Sequence, residues 1–400
     1  VLTIDVHQRR TRLMRRHRLA SAGPVASAPA EPTVPDVADA VVALHATDPA
    51  SVYLSVLARN PTATLADVSD ALYEDRSVVK LLGMRRTMFV VPTGTGPVVH
   101  AGAAAEVAQR LRRRLVKELR TVPTEPEIDG DADAWLTDVE DGAERVLLER
   151  GEALANQVAA AEPRLRTALL PTTDKKWDTK QNVTSRVLTL MGAEGRLVRG
   201  RPAGTWQSRQ HRWAPARALW PEGLPPLPED EARTELARQW LRAFGPGTVA
   251  DLQWWTGWTL GATRKTLARL DTVEVDLDGT PGIVLADDVD PDPRVEPSAA
   301  LLPALDPTPM GWQGRDWFLG AHRDALFDRN GNIGPTVWWD GRVVGGWGMR
   351  GDEIVWRLLE DIGTEAAEAV AGAAARLQPR LESASVTPTF RTPLERELAG

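Results

Sequence analysis

The sequence predicts an α+β chain, mostly helical, in which three successive units of helices and strands lead into a C-terminal β-barrel or open sheet. Three observations predict it. Apolar residues recur at helical spacing in short runs, and each group of runs ends in a strand-like stretch. Turn residues, Pro202-Ala203-Gly204 and Asp278-Gly279, fall between strands where a hairpin needs them. The last hundred or so residues change to short strands around Asp340-Gly341, followed by one helix.

Leu2 to Leu19 reads as a helix, with Leu2, Val6, Leu13 and Leu19 on one face and six Arg on the other. Pro24, Pro29, Pro32 and Pro35 make a linker that cannot stay helical. Asp36 is the expected N-cap of a helix from Val37 to about Ala46. Pro49 disfavours helix at Asp48, so Asp48 caps a second helix that has Pro49 at its first position. His45, Ala46, Thr47 and Asp48 then form a corner between two helices. Asp67–Leu72 and Ser77–Leu82 read as short helices, and Thr87–Val91 as a strand closed by Pro92, which together make a winged-helix pattern. Arg110–Arg120 ends a long basic helix. The second unit has helices at Asp133–Glu149, Leu154–Ala161 and Val183–Ala193, then strands at Arg196–Gly200 and Trp206–Trp213. The third has helices at Asp230–Phe244, Val249–Thr256 and Leu260–Leu270, then strands at Val273–Leu277 and Gly282–Leu285. Trp317–Leu319, Pro335–Trp339 and Arg342–Trp347 read as strands of the last part, and Glu365–Leu377 as its helix. The expected segments are 1–122, 123–226, 227–288 and 289–400.

The chain has no cysteine, which excludes disulfides, thiolate catalysis, iron–sulfur clusters and zinc fingers and fits a cytoplasmic protein. No apolar run approaches the roughly 18 residues of a membrane helix. The basic N-terminus lacks the apolar segment of roughly 7–15 residues that a signal peptide needs. No phosphate loop, dinucleotide fingerprint, HExxH or acidic metal cluster is present, so no cofactor and no metal are expected. Asp287, Asp288, Asp290 and Asp292 read as a solvated loop because Pro291 and Pro293 interrupt them. The formal charge of -7 hides strong local bias. Residues 125–144 hold nine acidic and no basic residues, and 271–296 hold nine acidic and one basic. Residues 174–217 hold ten basic and three acidic. Basic stripes on helix-plus-strand segments are the footprint of phosphate contacts, with a solvated helix face as the competing reading. The charge pattern predicts one basic face and one acidic back.

Four stretches carry a family resemblance: Leu44-His45-Ala46-Thr47-Asp48-Pro49 with Tyr53-Leu54-Ser55 and Ala58-Arg59; Met84-Arg85-Arg86-Thr87-Met88; Phe244-Gly245-Pro246 with Asp251-Leu252 and Trp254-Trp255-Thr256-Gly257; and Leu301-Leu302-Pro303-Ala304-Leu305-Asp306-Pro307 with Gly334-Pro335-Thr336-Val337 and Gly341-Arg342-Val343-Val344-Gly345. In these the chain resembles the AlkZ/YcaQ family of bacterial winged-helix DNA glycosylases. The resemblance implies three tandem winged helices and a β-barrel in a concave shape around double-stranded DNA. It also implies a monomer that releases alkylated or bulky N7- or N3-modified purines. Where characterised members carry Gln-x-Gln or Gln-x-Asp, this chain has His45 and Thr47, and Phe89 stands where the family often has His.

N-glycosidic hydrolysis passes through an oxocarbenium-like sugar and needs a positioned water and cation stabilisation. A neutral imidazole takes a proton from water near neutral pH, so His45 is the expected base. Thr47 is expected to hold the same water, and Asp48 to orient His45 or face the cation. No Lys lies near, so the expected reaction is monofunctional and leaves an abasic site. Arg59, Arg85, Arg86, Arg199, Arg201, Arg209 and Arg212 are the expected backbone contacts, and Trp206 a base-stacking candidate. His100, His211 and His322 show no partner in the sequence and receive no role. Two other readings stay open at this point: a DNA-binding protein of the same fold without catalysis, and a small-molecule binder using the cleft.

Overall fold

The computed structural model describes residues 2–20, 31–173, 175 and 179–400. Pro24 and Pro29 of the expected linker lie outside them. Contacts gather the chain into two compact units: Val1–Val78, Thr87–Pro92 and Arg233–Gly400 in the first, Val79–Arg86 and Thr93–Ala232 in the second. The four sequence segments remain a proposed finer division.

In the first unit, strand Leu2–Thr3 runs parallel to Thr272–Leu277, which pairs antiparallel with Thr280–Leu285. The turn between the last two holds Asp278 at φ +51° and Gly279 at φ +89°, the left-handed pair a tight hairpin demands. Ile4 closes a small core with Val275, Leu277 and Val284. The helix is Val6–Arg16, shorter than expected, and Asp5 caps it by accepting from the Gln8 N–H at 2.8 Å.

Three elements differ from the sequence reading in ways that matter for the site. The next helix is Val34–Ala40, and its cap is Thr33; Asp36 sits three residues in and closes a capping box back onto Thr33. Val42 then takes φ +63°, a left-handed conformation rare for a β-branched residue. That reversal sends Leu44–His45 into a strand antiparallel to Met88–Pro92, with Leu44 opposite Val90 and His45 opposite Phe89. The corner is therefore strand-to-helix, leading into the helix Pro49–Arg59. The stretch expected as a helix at Ser77–Leu82 is the strand Val78–Leu82, as its paired valines favour.

Helices Glu229–Phe244, Val249–Thr256 and Leu260–Leu267 lie where expected, the first beginning just before the division at Arg233. Strands Ala299–Leu302, Thr336–Trp339, Arg342–Arg350 and Glu353–Leu358 form an antiparallel meander in chain order. It is an open four-stranded sheet, and no closed barrel occurs among the described residues. Helices Thr364–Leu377 and Pro393–Ala399 lie against it. Trp317–Leu319 belongs to a helical turn, Asp316–Leu319, in which Phe318 stacks on Trp338 with ring centres 5.4 Å apart.

In the second unit, a π-helical turn His100–Ala104 runs into the basic helix Ala105–Thr121. Helices Ala132–Arg150, Ala155–Ala161 and Thr184–Ala193 share one core, in which Leu115, Leu136, Leu147, Val158 and Leu188 meet Trp213. The hairpin strands are Leu197–Pro202 and His211–Pro215, so Trp206 lies in the loop between them.

Candidate active site and nucleic-acid interface

The corner is built by the helix that follows it. Pro49–Arg59 is apolar on most sides, but Ser51, Ser55 and Arg59 fall four residues apart and form one buried polar stripe. The Ser51 hydroxyl donates to the Ala304 carbonyl at 2.6 Å, and the Ser55 hydroxyl to Asp306 Oδ2 at 2.6 Å. The Arg59 guanidinium donates to both Asp306 oxygens at 2.8 and 2.7 Å and to Thr308 Oγ1 at 2.7 Å. Both charged side chains are fully shielded from solvent. Burial alone would raise the Asp306 carboxyl, but Arg59 and the hydroxyl and amide donors hold it below the ordinary range. Arg59 is thus corrected from a phosphate contact to a buried anchor: its donors face Asp306, Thr308 and the Ser55 carbonyl, and no solvent. The Ser/Ser/Arg stripe is the signal that could have revealed this, since nothing else on so apolar a helix calls for polar residues.

His45 is 5% exposed, and its ring meets Phe89 edge-to-face with centres 5.1 Å apart. The strand pairing that sets His45 opposite Phe89 is what brings the two rings together. The Ala46 N–H donates to the Met88 carbonyl at 2.8 Å, which fixes the chain one residue later. Thr47 follows in the bend, two residues on from His45. Its Oγ1 is buried and has no hydrogen-bond partner among the described residues. Such a hydroxyl is costly unless something outside the protein bonds it. Asp48 is the helix cap expected from the sequence: Oδ1 accepts from the Ala50 N–H at 3.2 Å, and Oδ2 from the Thr389 N–H at 2.8 Å.

The other expected DNA contacts lie in the second unit and divide by exposure. Arg85 and Arg86 follow one another at φ +53° and +61°; burial lowers the Arg85 guanidinium pKa, while Arg86 is exposed. Arg199 lies flat over the Trp213 ring, 3.8 Å from its centre, and contacts His211. Burial brings Arg199 down to about 10, and burial together with Arg199 brings His211 down to about 4. Arg199 is thus packed into the hairpin with Trp213 its anchor, and its contact with phosphate stays a proposal. Arg212 is half-buried, reaching the Pro202 carbonyl at 3.4 Å, and the Arg201 N–H donates to Glu152. Arg209 is exposed and Trp206 half-buried, both in the hairpin loop.

The charge-biased segments pair with each other. In the first unit, Arg12, Arg15 and Arg16 reach Asp288 and Asp292, and Arg242 pairs with Asp287. The run expected as a solvated loop is the counter-charge of the N-terminal helix. In the second unit, Arg196 binds Asp141 and Glu144, Arg217 approaches Glu144 at 3.7 Å, and Lys180 pairs with Glu125. The expected basic face and acidic back give way, in these segments, to local neutralisation, because opposite charges distant in sequence meet in space.

The model of the AlkZ-like DNA glycosylase family matches residues 38–379, and the chain belongs to that family. It is 31% identical over 141 residues to an interstrand DNA cross-link repair glycosylase of Streptomyces sahachiroi. That stretch covers 32% of this chain and 38% of the relative, well short of two thirds of the relative's length. The solved structure of the Streptomyces sahachiroi DNA glycosylase AlkZ superposes with a TM-score of 0.71 over 97% of this chain and 99% of that one, at 20% identity, a likeness of fold. No helix among the described residues is long and apolar enough to cross a membrane.

Proposed function

We propose that this chain hydrolyses the N-glycosidic bond of alkylated or bulky N7- or N3-modified purines in double-stranded DNA, with His45 and Thr47 at the reacting centre. The observation that carries the reading is the buried Thr47 hydroxyl, unbonded among the described residues and two residues after His45, in a member of a DNA glycosylase family. Water held by Thr47 attacks the anomeric carbon as the bond to the purine nitrogen breaks. Its proton passes to the imidazole, and the cationic modified base departs neutral. A purine already cationic from N7 or N3 substitution needs no general acid, which suits a corner whose only carboxylate is engaged by backbone N–H groups. The relative named for interstrand cross-link repair makes a cross-linked duplex a further substrate to try.

The test is incubation with duplexes carrying 7-methylguanine or a larger N7 adduct, scored for free base and alkali-labile strands. Wild type is expected to release base, and His45→Ala to lose about 100-fold or more. His45→Gln, the family's residue, should restore part of that loss. Salt-sensitive binding with no release from any adduct would instead assign a non-catalytic DNA binder of the same fold.

A further inference from the structure

The C-terminal segment grips the corner helix at both ends. At the helix C-terminus, the Arg380 guanidinium donates to the carbonyls of Leu57 at 2.8 Å, Asn60 at 2.6 Å and Ala63 at 2.7 Å. Carbonyls at a helix end have no partner within the helix, so one side chain satisfies what the fold leaves open. At the N-terminus, the Thr389 N–H donates to Asp48 at 2.8 Å. Between the two grips, Val386 and Pro388 line a crevice of about 10 Å³ with Asp48, Ser51 and Leu54. Asp48 is 4% exposed, and each of its oxygens accepts from a backbone N–H, one on the helix and one on the C-terminal segment.

We infer that Asp48 is a positioning residue and that Arg380–Thr389 is a clasp that sets the His45–Thr47 corner, an inference that rests on that corner being the reacting site. Thr47 is bonded directly to Asp48 in the chain, and His45 is three residues before it. Where Asp48 is pinned therefore fixes where the strand ends, the helix begins and the Thr47 hydroxyl comes to lie. Asp48 neither gives nor takes a proton in the reaction; it holds the geometry in which His45 and Thr47 do so.

Two variants separate the grips. Asp48→Ser keeps an oxygen for the helix N-terminus but cannot reach Thr389, and Arg380→Ala opens the other end. Misplacement of the corner is expected to lower kcat about tenfold in each. KM should stay within about twofold and the pH–rate profile should keep its shape, because the group that titrates is untouched. Amide hydrogen exchange should quicken about tenfold across 44–50 in Asp48→Ser and across 57–63 in Arg380→Ala, with the rest of the first unit unchanged. Asp48→Asn should behave as Asp48→Ser does. A loss of about 1,000-fold in Asp48→Asn with one limb of the pH profile gone would make Asp48 a proton-transfer residue and overturn the inference. Wild-type kcat and wild-type exchange in both Asp48→Ser and Arg380→Ala would equally overturn it. If wild type releases no base, the functional reading fails, and the exchange measurement alone decides the clasp.

Discussion

His17 shows how one residue ties the first unit to its pH range. Nε2 lies 3.1 Å from the Ala243 carbonyl, so that nitrogen must donate; Nδ1 then accepts from the Thr308 hydroxyl at 2.9 Å. Thr308 in turn accepts from Arg59. Burial, and then the Arg59 charge, push the imidazole from 6.5 down to about 3, so it stays neutral in the fold. The unfolded chain takes up a proton below about pH 6.5, which the folded chain refuses until about pH 3. The first unit's stability should therefore be full above pH 6.5 and fall as the pH drops from there toward 3. The slope should be at most on the order of 1.4 kcal/mol per pH unit from this group. Urea titrations from pH 7 to pH 4 should show a flatter dependence in His17→Gln than in wild type. An identical slope in the two would remove His17 from the account.

At the scale of elements, the corner helix depends on its buried stripe. Removing one partner of a buried ion pair leaves a charge in a dry interior, at about 3–5 kcal/mol. Asp306→Ala should destabilise the first unit by that much in chemical denaturation, and Arg59→Met with Asp306→Leu should recover most of it. The hairpin loop makes the opposite prediction. Arg209→Ala should leave stability within about 0.5 kcal/mol, as exposed loop-tip substitutions do. Trp206→Ala should weaken DNA binding by about 1–3 kcal/mol if it stacks on a base. Arg209→Ala should reduce the salt dependence by about one ion. The elements themselves were mostly legible in the sequence, because caps and turn residues act locally: Asp48-Pro49 and Asp278-Gly279 lie where they were expected. The strand Leu44–His45 was not, since a two-residue strand exists only through its partner Met88–Pro92. The loss of Arg59 from the DNA contacts has the same origin. An arginine's sequence neighbours do not say whether Asp306 or Trp213 lies over it.

At the scale of the whole chain, Glu140 in the second unit and His17 in the first respond to pH with opposite signs. In the second unit Glu140 is buried, and burial, reinforced by Glu194, raises it to about 7 against the pull of Arg112 and Arg196. Its contribution is complete below about pH 4.5 and is lost as the pH rises through 7. From pH 6.5 to pH 8, above the range in which His211 contributes to the slope, hydrogen exchange followed by unit should therefore show the second unit loosening with rising pH, and Glu140→Gln should flatten that trend. The family membership was readable from four motifs, whereas the distribution of charge was not, because ion pairs such as Arg196 with Asp141 and Glu144 close over more than fifty residues of chain. That pairing also sets how such a protein changes. Glu144 restrains Arg196 and Arg217, so replacing this one acid would expose positive potential already built into the surface. A lineage under selection for tighter hold on DNA need not acquire a new cation; it has only to shed a carboxylate.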